Sequence, residues 1–559
     1  MRPVFRGSDR LRILGPLLLG VALAASATES PPELIVRASL QQGATVFPVA
    51  RRELWRNSLQ HIYETRAYAP LWFIGGRLGP SGGALLLELK AAENRGLRAQ
   101  AYWPEALTQW QQNPGSTPAE AARRLLAADV ALSAVAARFA MDLHAGRVDP
   151  RRLGLDLDVP QSHADVGTIV TGLADASDVP AALDALEPRL LQYRSLKDAL
   201  AHYRMLSREP SLTPLPPLPA RSVANGDSYA GSAALRVLLR ALGDLPAPVF
   251  PAAEEEPPAM IDAALSQALI RFQARHGLEQ DGVLGPATFR ELTVPLGARV
   301  SQIEMSLERA RWLPEFQSPP IIVNIPQFRL FALRSTSDLP TGILRMDVVV
   351  GRTFPQTRTP VFAAEMRYVV LRPYWDVPRS ILLRELLPQI RKDPAWIDRS
   401  GYEIVRGDSD AAAVMASTQA NVDLLAAGQL RLRQKPGPGN ALGQVKFMLP
   451  NSHNVYLHDT PAKALFSRTR RAFSHGCIRV ADPVALLAHV LREDAQRVQV
   501  ALETMQQTGP PVRIGLSNPI PVFILYGTAL VGGSGEVMFF EDIYGLDPPL
   551  AAAMAADAA

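Results

Sequence analysis

The stretch YLHDTPAKALFSRTRRAFSHGCIRV, residues 456–480, contains Cys477, the single cysteine among 559 residues. A cysteine nucleophile needs a base or cation that favours the thiolate, backbone donors for an oxyanion, and an exposed sulfur. His458, 19 residues upstream, can supply the base. Gly476 removes a side chain where the backbone must approach a substrate carbonyl, and the amides of Gly476 and Cys477 are candidate oxyanion donors. The stretch therefore predicts a covalent cysteine site.

Strand alternation predicts which side chains stand beside this cysteine. If residues 454–461 form a strand, Tyr456 and His458 share one face, and Tyr456 lines the pocket. Val455 and Leu457 then point the other way, into a core.

The turn itself contributes further candidates. Arg479, two residues beyond Cys477, can hold a substrate carboxylate through two hydrogen bonds. His475 lies on the same tight turn as Cys477, and its ring is poorly placed to meet the sulfur. We therefore predict His458 as the base, and we expect Ser474 and His475 to position the loop.

Each of these residues also has an ordinary explanation. A lone cysteine is usually a buried, inert side chain, a lone histidine is usually structural, and an arginine usually forms a surface ion pair. A zinc site built from His458, His475, Cys477 and Asp459 is another alternative. Asp459 directly follows His458 on a strand and points away from it, so we predict no metal and no cofactor.

The N-terminus has the order of a secretory signal peptide. The basic segment MRPVFRGSDRLR precedes the apolar run ILGPLLLGVALAA and the small-residue pattern Ala25-Ser26-Ala27. The apolar run is far shorter than the roughly 20 residues that span a bilayer. We predict that residues 1–27 are a cleaved signal peptide and that the chain is exported to the periplasm. The alternative is an uncleaved signal that anchors the chain in the membrane.

Length and charge limit the classes of function. A chain of this length exceeds a single core, so several domains are expected. The 58 basic and 54 acidic side chains leave a net charge of +4, too weak to indicate nucleic-acid binding.

The patterns along the chain predict an α+β protein. Apolar residues at helical spacing predict a helical domain over 28–210. Prolines mark a linker over 211–225. Helical patterns return over 226–298, and β-rich segments occupy most of 299–547. A helical pattern interrupts this β domain at about 380–443 and predicts an inserted helical lid. Residues 548–559 read as a tail, and the glycines of 532–535 predict a hairpin.

The cysteine stretch resembles the signature of the L,D-transpeptidases, in which an upstream histidine precedes Ser/Thr-His-Gly-Cys-x-Arg. VVVGRTFPQTRTPVF, with Gly351 and Thr359-Pro360, is similar to an earlier strand of that family. The similarity extends to RPYWDVPRSI and NALGQVKFMLPNSHNVYLHDTP, and to Tyr68-Ala69-Pro70-Leu71-Trp72 near the N-terminus, as in the large subfamily of Gram-negative bacteria. Arg372 and Asp376 depart from it, because asparagines are expected at both positions.

A second resemblance is independent of the first. ALIRFQARHGLEQDGVLGPATFREL, residues 268–292, is similar to a three-helix peptidoglycan-binding repeat. The likeness is strong for fold and weaker for ligand binding, since such modules can serve as spacers.

The resemblance implies a mostly β catalytic sandwich and a periplasmic enzyme of cell-wall biogenesis and cell shape. Cys477 would attack a diaminopimelate-type stem peptide, release its terminal D-alanine, and pass the acyl group to the amine of a second stem as a 3→3 cross-link. Trp375, Tyr456 and Arg479 would bind substrate, and carbapenems would acylate Cys477. The partners implied are donor and acceptor stems and other cell-wall synthesis enzymes. A D-alanine-trimming L,D-carboxypeptidase and a non-catalytic wall-binding protein remain alternatives.

Overall fold

A computed structural model describes residues 31–43, 47–48, 51–103, 105–157, 165–246, 259–336, 342–492 and 494–556. The predicted signal peptide, residues 1–27, lies outside these ranges. Within them, no helix combines the length and the apolar character needed to cross a membrane.

The N-terminal third of the chain is helical, as predicted. Its elements are α1 (Pro32–Gly43), α2 (Arg52–Thr65), β1 (Phe73–Ile74), β2 (Arg77–Leu78), α3 (Pro80–Lys90), α4 (Glu105–Gln112), α5 (Pro118–Ala145), α6 (Val166–Asp175), α7 (Val179–Asp184) and α8 (Leu191–Leu206). The long helix α5 is capped at its N-terminus by Thr117, whose side chain accepts a hydrogen bond from the Glu120 amide. Most of its length is buried, so it forms the centre of this domain.

A buried aspartate fixes the Tyr68–Trp72 segment against α5. Asp129 accepts hydrogen bonds from the Tyr63 hydroxyl at 2.7 Å and from the amides of Leu71 and Trp72 at 2.9 and 2.7 Å. A buried carboxylate with this many donors is well satisfied and holds its partners in one arrangement. The segment that the sequence singled out is therefore an internal brace of the helical domain.

The following module contains three described helices, α9 (Ser232–Ala241), α10 (Ala263–Arg275) and α11 (Pro286–Leu292). The predicted linker before it is not a free spacer, because Leu212, Leu215 and Leu218 pack on the core of the module. His276, at the end of α10, is buried and stacks on Phe272 with ring centroids 3.8 Å apart. Its other neighbour is Phe539 at 5.8 Å.

The helix α12 (Leu296–Arg311) connects the module to the rest of the chain. It packs along α8, and together they bury a shared apolar cluster. Glu308, which is fully buried, accepts hydrogen bonds from the amides of Arg147 and Val148 at 2.6 and 2.8 Å. Arg311 donates to the Tyr193 hydroxyl at 2.9 Å. These contacts join the helical domain to the start of the β domain.

The β domain contains the remaining described elements. In chain order they are β3 (Ile321–Asn324), β4 (Arg329–Ala332), β5 (Leu344–Gly351), β6 (Phe362–Leu371), β7 (Trp375–Asp376), α13 (Arg379–Ile381), α14 (Leu387–Lys392), α15 (Trp396–Arg399), β8 (Tyr402–Arg406), β9 (Ala413–Met415), α16 (Gln419–Ala427), β10 (Arg431–Gln434), β11 (Val445–Met448), β12 (Leu457–His458), β13 (Ala472–Ser474), β14 (Ile478–Val480), α17 (Pro483–Val490), α18 (Ala495–Gln506), β15 (Val512–Leu525), β16 (Ala529–Val531), β17 (Val537–Phe539) and α19 (Asp547–Ala556).

Nine of these strands form one mixed sheet in the order β13-β5-β14-β12-β11-β6-β15-β3-β4. The strand β4 also pairs with β5, so the sheet closes on itself. The strands that the sequence assigned to a sandwich therefore belong to a single closed sheet around one apolar core. The sheet presents the ends of β12, β13 and β14 close together, which positions the cysteine stretch.

The segment between β7 and β11 is an insertion, as predicted, but it is not only helical. Its strands β8, β9 and β10 form a four-stranded sheet with β7. A π-helical turn, Leu382–Leu386, stands between α13 and α14. The insertion also has an apolar core of its own, which includes Ile390, Ile404 and Leu425. It is therefore a small α+β subdomain with an antiparallel sheet.

The C-terminal elements also differ in part from expectation. The predicted hairpin forms from β16 and β17. The predicted tail is the helix α19, whose Leu550 and Met554 are buried in the core of the β domain. Apolar residues at positions 550 and 554 share one helical face, which explains why the segment docks.

The backbone of Arg372 generates the first prediction. This residue follows β6 with a φ of 51°, a left-handed conformation that asparagine adopts far more readily than arginine. We expect Arg372→Asn to raise the free energy of unfolding of the β domain by about 1 kcal/mol. Thermal and denaturant unfolding of both proteins measures this difference. An equal or lower stability would show that lost contacts of the arginine side chain outweigh the backbone gain, and Arg367→Asn, inside β6, is the matched control that should not stabilise.

Candidate active site

Three strands in register position the polar side chains of the site. The short strand β12 pairs in parallel with β14, which sets His458 opposite Arg479. On its other side β12 pairs with β11, which sets Lys446 opposite His458. The neighbours in these strands face the core and are buried: Phe447, Leu457 and Ile478. Val455 and Leu457 belong to the apolar core of the β domain, as predicted.

The resulting surface is called the catalytic face, and it consists of Lys446, Tyr456, His458, Cys477 and Arg479. Tyr456 and His458 are two residues apart, as are Cys477 and Arg479, and strand alternation places each pair on one side. The rings of Tyr456 and His458 are 5.7 Å apart. Sequence reasoning identified four of these residues and missed Lys446.

His458 is held as a neutral imidazole. Its Nδ1 lies 2.5 Å from the carbonyl oxygen of Asp459. A carbonyl oxygen only accepts, so Nδ1 carries the hydrogen and Nε2 has a free lone pair. Burial lowers the pKa of His458 to about 3, and the positive charge of Arg479 acts in the same direction. The ring is therefore uncharged at neutral pH, and its Nε2 atom carries no proton.

Cys477 is held as a thiol. Burial raises the pKa of the Cys477 thiol, although Tyr456, Lys446 and Arg479 act in the opposite direction. The sulfur lies 3.8 Å from the carbonyl oxygen of Asn454, which accepts from the S–H group. A thiolate therefore forms only when a neighbouring base takes the proton.

The turn before Cys477 is closed by Ser474. The Ser474 hydroxyl donates to the Cys477 carbonyl oxygen at 2.5 Å and accepts from the Gly476 amide at 3.1 Å. Gly476 has a φ of 120°, which side chains rarely adopt. The Gly476 amide is thus already bonded, so its predicted role as an oxyanion donor does not fit the structure. The Cys477 amide makes no hydrogen bond with any described residue and stays available.

A buried threonine links this turn to the sheet. The Thr359 hydroxyl donates to the Gly476 carbonyl oxygen and accepts from the Gly351 amide, both at 2.8 Å. The Thr359 amide also donates to the Tyr544 hydroxyl at 3.1 Å. A Cβ at Gly351 would lie 2.0 Å from the Thr357 carbonyl oxygen, so only glycine fits there. These contacts fix the position of the turn that carries Cys477 relative to the end of β5.

His475 and Trp375 do not join the catalytic face. The His475 Nε2 atom lies 2.6 Å from a carboxylate oxygen of Glu385, in the π-helical turn of the insertion. Trp375 packs on the core of the insertion, 6.3 Å from the Tyr402 ring. Trp375 is only partly buried there, so its role in substrate binding stays a prediction.

The alternative zinc site is not assembled in the described residues. Asp459 turns away from His458 to accept from the Gln444 amide at 2.9 Å and to pair with Lys463 at 2.7 Å. Across the ranges that the structure describes, no three histidine, cysteine, aspartate or glutamate side chains are grouped to hold a metal ion.

Comparison with known families assigns three domains. Residues 57–200 match the model of a scaffold domain, residues 231–292 match the model described as "Putative peptidoglycan binding domain", and residues 319–514 match the model of the L,D-transpeptidase catalytic domain. The three matches follow one another in the order that the sequence predicted. The third match contains the whole catalytic face.

Two individual proteins are also similar. A Haemophilus influenzae protein named "Putative L,D-transpeptidase" is 34% identical over 249 residues, which are 44% of this chain and 48% of the relative. The chain thus spans about half the length of this curated relative. A solved L,D-transpeptidase of Xylanimonas cellulosilytica is 13% identical over 56% of this chain and 100% of that chain, with a TM-score of 0.15, too low to support a statement about the fold.

The protonation states of the catalytic face generate the second prediction. Because burial lowers the pKa of His458 and raises that of Cys477, the resting pair is imidazole and thiol at neutral pH. We expect the ultraviolet absorbance of the thiolate to be absent at pH 7 and to appear only in the alkaline range. Titration of the wild type against Cys477→Ala, which has no thiol, isolates this signal. A thiolate signal at pH 7 that disappears in His458→Gln would mean that the resting state is an ion pair.

The Thr359 hydroxyl generates the third prediction. Thr359→Val keeps the shape of the side chain but leaves the Gly476 carbonyl oxygen and the Gly351 amide without their partner. We expect the free energy of unfolding to fall by about 2 kcal/mol and the alkylation of Cys477 to change in rate because the turn moves. Thr359→Ser, which restores the hydroxyl, should recover both, and Thr504→Val on α18, whose hydroxyl bonds only within its own helix, should change neither. Wild-type stability in Thr359→Val would show that the turn is held by other contacts.

Proposed function

We propose that this chain, whose third domain is an L,D-transpeptidase catalytic domain, cross-links peptidoglycan by acyl transfer through Cys477. The observation that carries the proposal is the neutral, oriented His458 on the same face as the only thiol of the chain. An imidazole with a free Nε2 can accept a proton and return it, which a two-step acyl transfer requires.

The first half-reaction forms a thioester. Nε2 of His458 accepts the Cys477 proton while the sulfur attacks the carbonyl carbon of the third residue of a tetrapeptide stem. The carbonyl oxygen becomes an oxyanion. When the carbon–nitrogen bond breaks, His458 returns the proton to the departing amine, and D-alanine leaves.

Two donors are available to the oxyanion. One is the Cys477 amide, which is not bonded to any described residue. The other is the Tyr456 hydroxyl, which lies within hydrogen-bonding reach of the Cys477 sulfur. Burial raises the pKa of Tyr456 well above its ordinary value. Tyr456 thus keeps its proton and donates a hydrogen bond throughout the reaction. Fixed donors of this kind lower the barrier because they need no reorganisation.

The second half-reaction consumes the thioester. The side-chain amine of a second diaminopimelate-type stem attacks the thioester carbon, and His458 accepts a proton from that amine. The carbon–sulfur bond breaks, and His458 returns the proton to Cys477. The product is a 3→3 cross-link. The match of residues 231–292 to a peptidoglycan-binding domain supports peptidoglycan as the substrate. Because peptidoglycan lies outside the cytoplasm, the same match supports an extracytoplasmic location.

The insertion is suited to control access to the thioester. It has its own core, so it can move as a unit, and Glu385 joins it to His475 beside Cys477. A cover that is held at the cysteine turn would limit attack by water, which competes with the amine. Other enzymes of cell-wall synthesis are the partners that could supply its acceptor strands.

The assignment of the base generates the fourth prediction. Because His458 is the residue that moves the proton, His458→Ala should slow release of D-alanine and acylation of Cys477 by a carbapenem by a factor on the order of 10² to 10⁴. His475→Ala should act mainly on stability, since His475 contacts the insertion. Intact mass, peptide mapping and melting of both variants measure this.

Cys477→Ala is the control for the site of the adduct and should carry none. Near-normal acylation in a folded His458→Ala protein would assign the base elsewhere. A carbapenem adduct on Cys477→Ala would remove Cys477 as the nucleophile.

A further inference from the structure

Lys446 is the residue of the catalytic face that has neither a part in the proton transfers nor a role predicted from the sequence. It lies on β11 in register with His458, and its ammonium stands 3.9 Å from the centroid of the Tyr456 ring. Its charge also acts on Cys477 and favours the thiolate. A cation is thus built into the wall of the site, next to the reacting atoms.

Neither cation of this face has an anionic partner. Among the described residues, Lys446 and Arg479 form no ion pair, and the Arg479 Nε atom is buried without a hydrogen bond. Burial lowers the pKa of both side chains. A desolvated cation without a partner costs free energy unless something supplies the counter-charge.

The nearest carboxylates do not fill that role. Asp376 and Asp410 act on Lys446 only through their charge and are not within ion-pair distance of it. The Asp376 carboxylate is bonded to Arg431 across the insertion sheet. Arg352 lies near Arg479 and adds a further positive charge. The surroundings of the catalytic face therefore leave its two cations uncompensated.

The register separates the two cations on either side of His458. Lys446 is on β11 and Arg479 on β14, with β12 between them. Neighbouring strands lie about 4.8 Å apart, so the two α-carbons are roughly 10 Å apart. A peptide bound over His458 can place one carboxylate against each cation.

We propose that Lys446 is a second carboxylate-binding residue beside Arg479, so that the site selects donor peptides with two carboxylates. One is the terminal carboxylate of the leaving residue, and the other is on the side chain of the residue that is acylated. This inference rests on the proposed function, whose diaminopimelate-type donor carries both groups. A donor with one carboxylate would leave one cation without a counter-charge.

A simpler role for Lys446 would be to stabilise the thiolate or to pack on Tyr456. Either role would affect all donors equally, because it does not involve the substrate carboxylates. Carboxylate binding instead predicts that the effect of substitution depends on which carboxylates the donor has. The ratio of kcat/KM between two donors therefore distinguishes carboxylate binding from the simpler roles, even if Lys446→Gln also changes the pKa of the Cys477 thiol.

The experiment uses three synthetic tetrapeptide donors and the full chain. One donor has both carboxylates, one has an amidated terminus, and one has an amidated side-chain carboxylate. For the wild type, amidation of the carboxylate that Lys446 binds should lower kcat/KM for D-alanine release by about 10- to 100-fold, the range of a charge-assisted hydrogen bond. In Lys446→Gln this loss should nearly vanish, because the unmodified donor is already poor.

Two variants complete the design. Lys446→Arg keeps the charge and should restore most of the discrimination. Lys435→Gln removes the same charge from an exposed position of the insertion and should behave as the wild type. If each amidation lowers kcat/KM by the same factor in Lys446→Gln as in the wild type, the inference about Lys446 is wrong, but the proposed function is not affected. Failure of the wild type to release D-alanine from any donor would contradict the proposed function and, with it, this inference.

Discussion

The parallel pairing of β12 with β14 is the constraint on which the site depends. Only two register pairs join these strands, yet they set Tyr456 beside Cys477 and His458 beside Arg479. A slip of one residue would turn His458 into the core and bring Leu457 out, because side chains alternate along a strand. The Thr359 contacts hold the cysteine turn at the height that this register requires. Fold and chemistry are therefore fixed by the same short pairing.

Burial then decides how the site works. Water is largely excluded from His458, so the neutral imidazole is favoured over the cation, and the Cys477 thiol is likewise favoured over the thiolate. The imidazolium–thiolate pair is therefore not the resting state of His458 and Cys477. The two cations of the catalytic face, Lys446 and Arg479, are partly buried as well, and neither forms an ion pair with any described residue. Their counter-charge has to come from the donor, which connects substrate recognition to the same desolvation that tunes the base.

Much of this arrangement could be predicted from the sequence because it is local. Alternation placed Tyr456 and His458 on one face, and the turn residues around Cys477 identified the nucleophile. Lys446 was missed because its position opposite His458 depends on β11 pairing with β12. Such pairing between strands is a tertiary contact that the local sequence pattern does not show. The strands of the insertion and the docking of α19 were missed for a similar reason, since short segments acquire their structure from tertiary contacts. The bonded Gly476 amide depends on the Ser474 rotamer, which no pattern shows.

The most direct test of the central claim is to trap the acyl-enzyme. The wild type would be mixed with a tetrapeptide donor whose D-alanine is isotopically labelled, without any acceptor, and quenched early for peptide mapping. The account predicts a thioester of the remaining stem on Cys477, formed together with an equal amount of released D-alanine. D-alanine released without any thioester on Cys477, or released equally by Cys477→Ala, would contradict it.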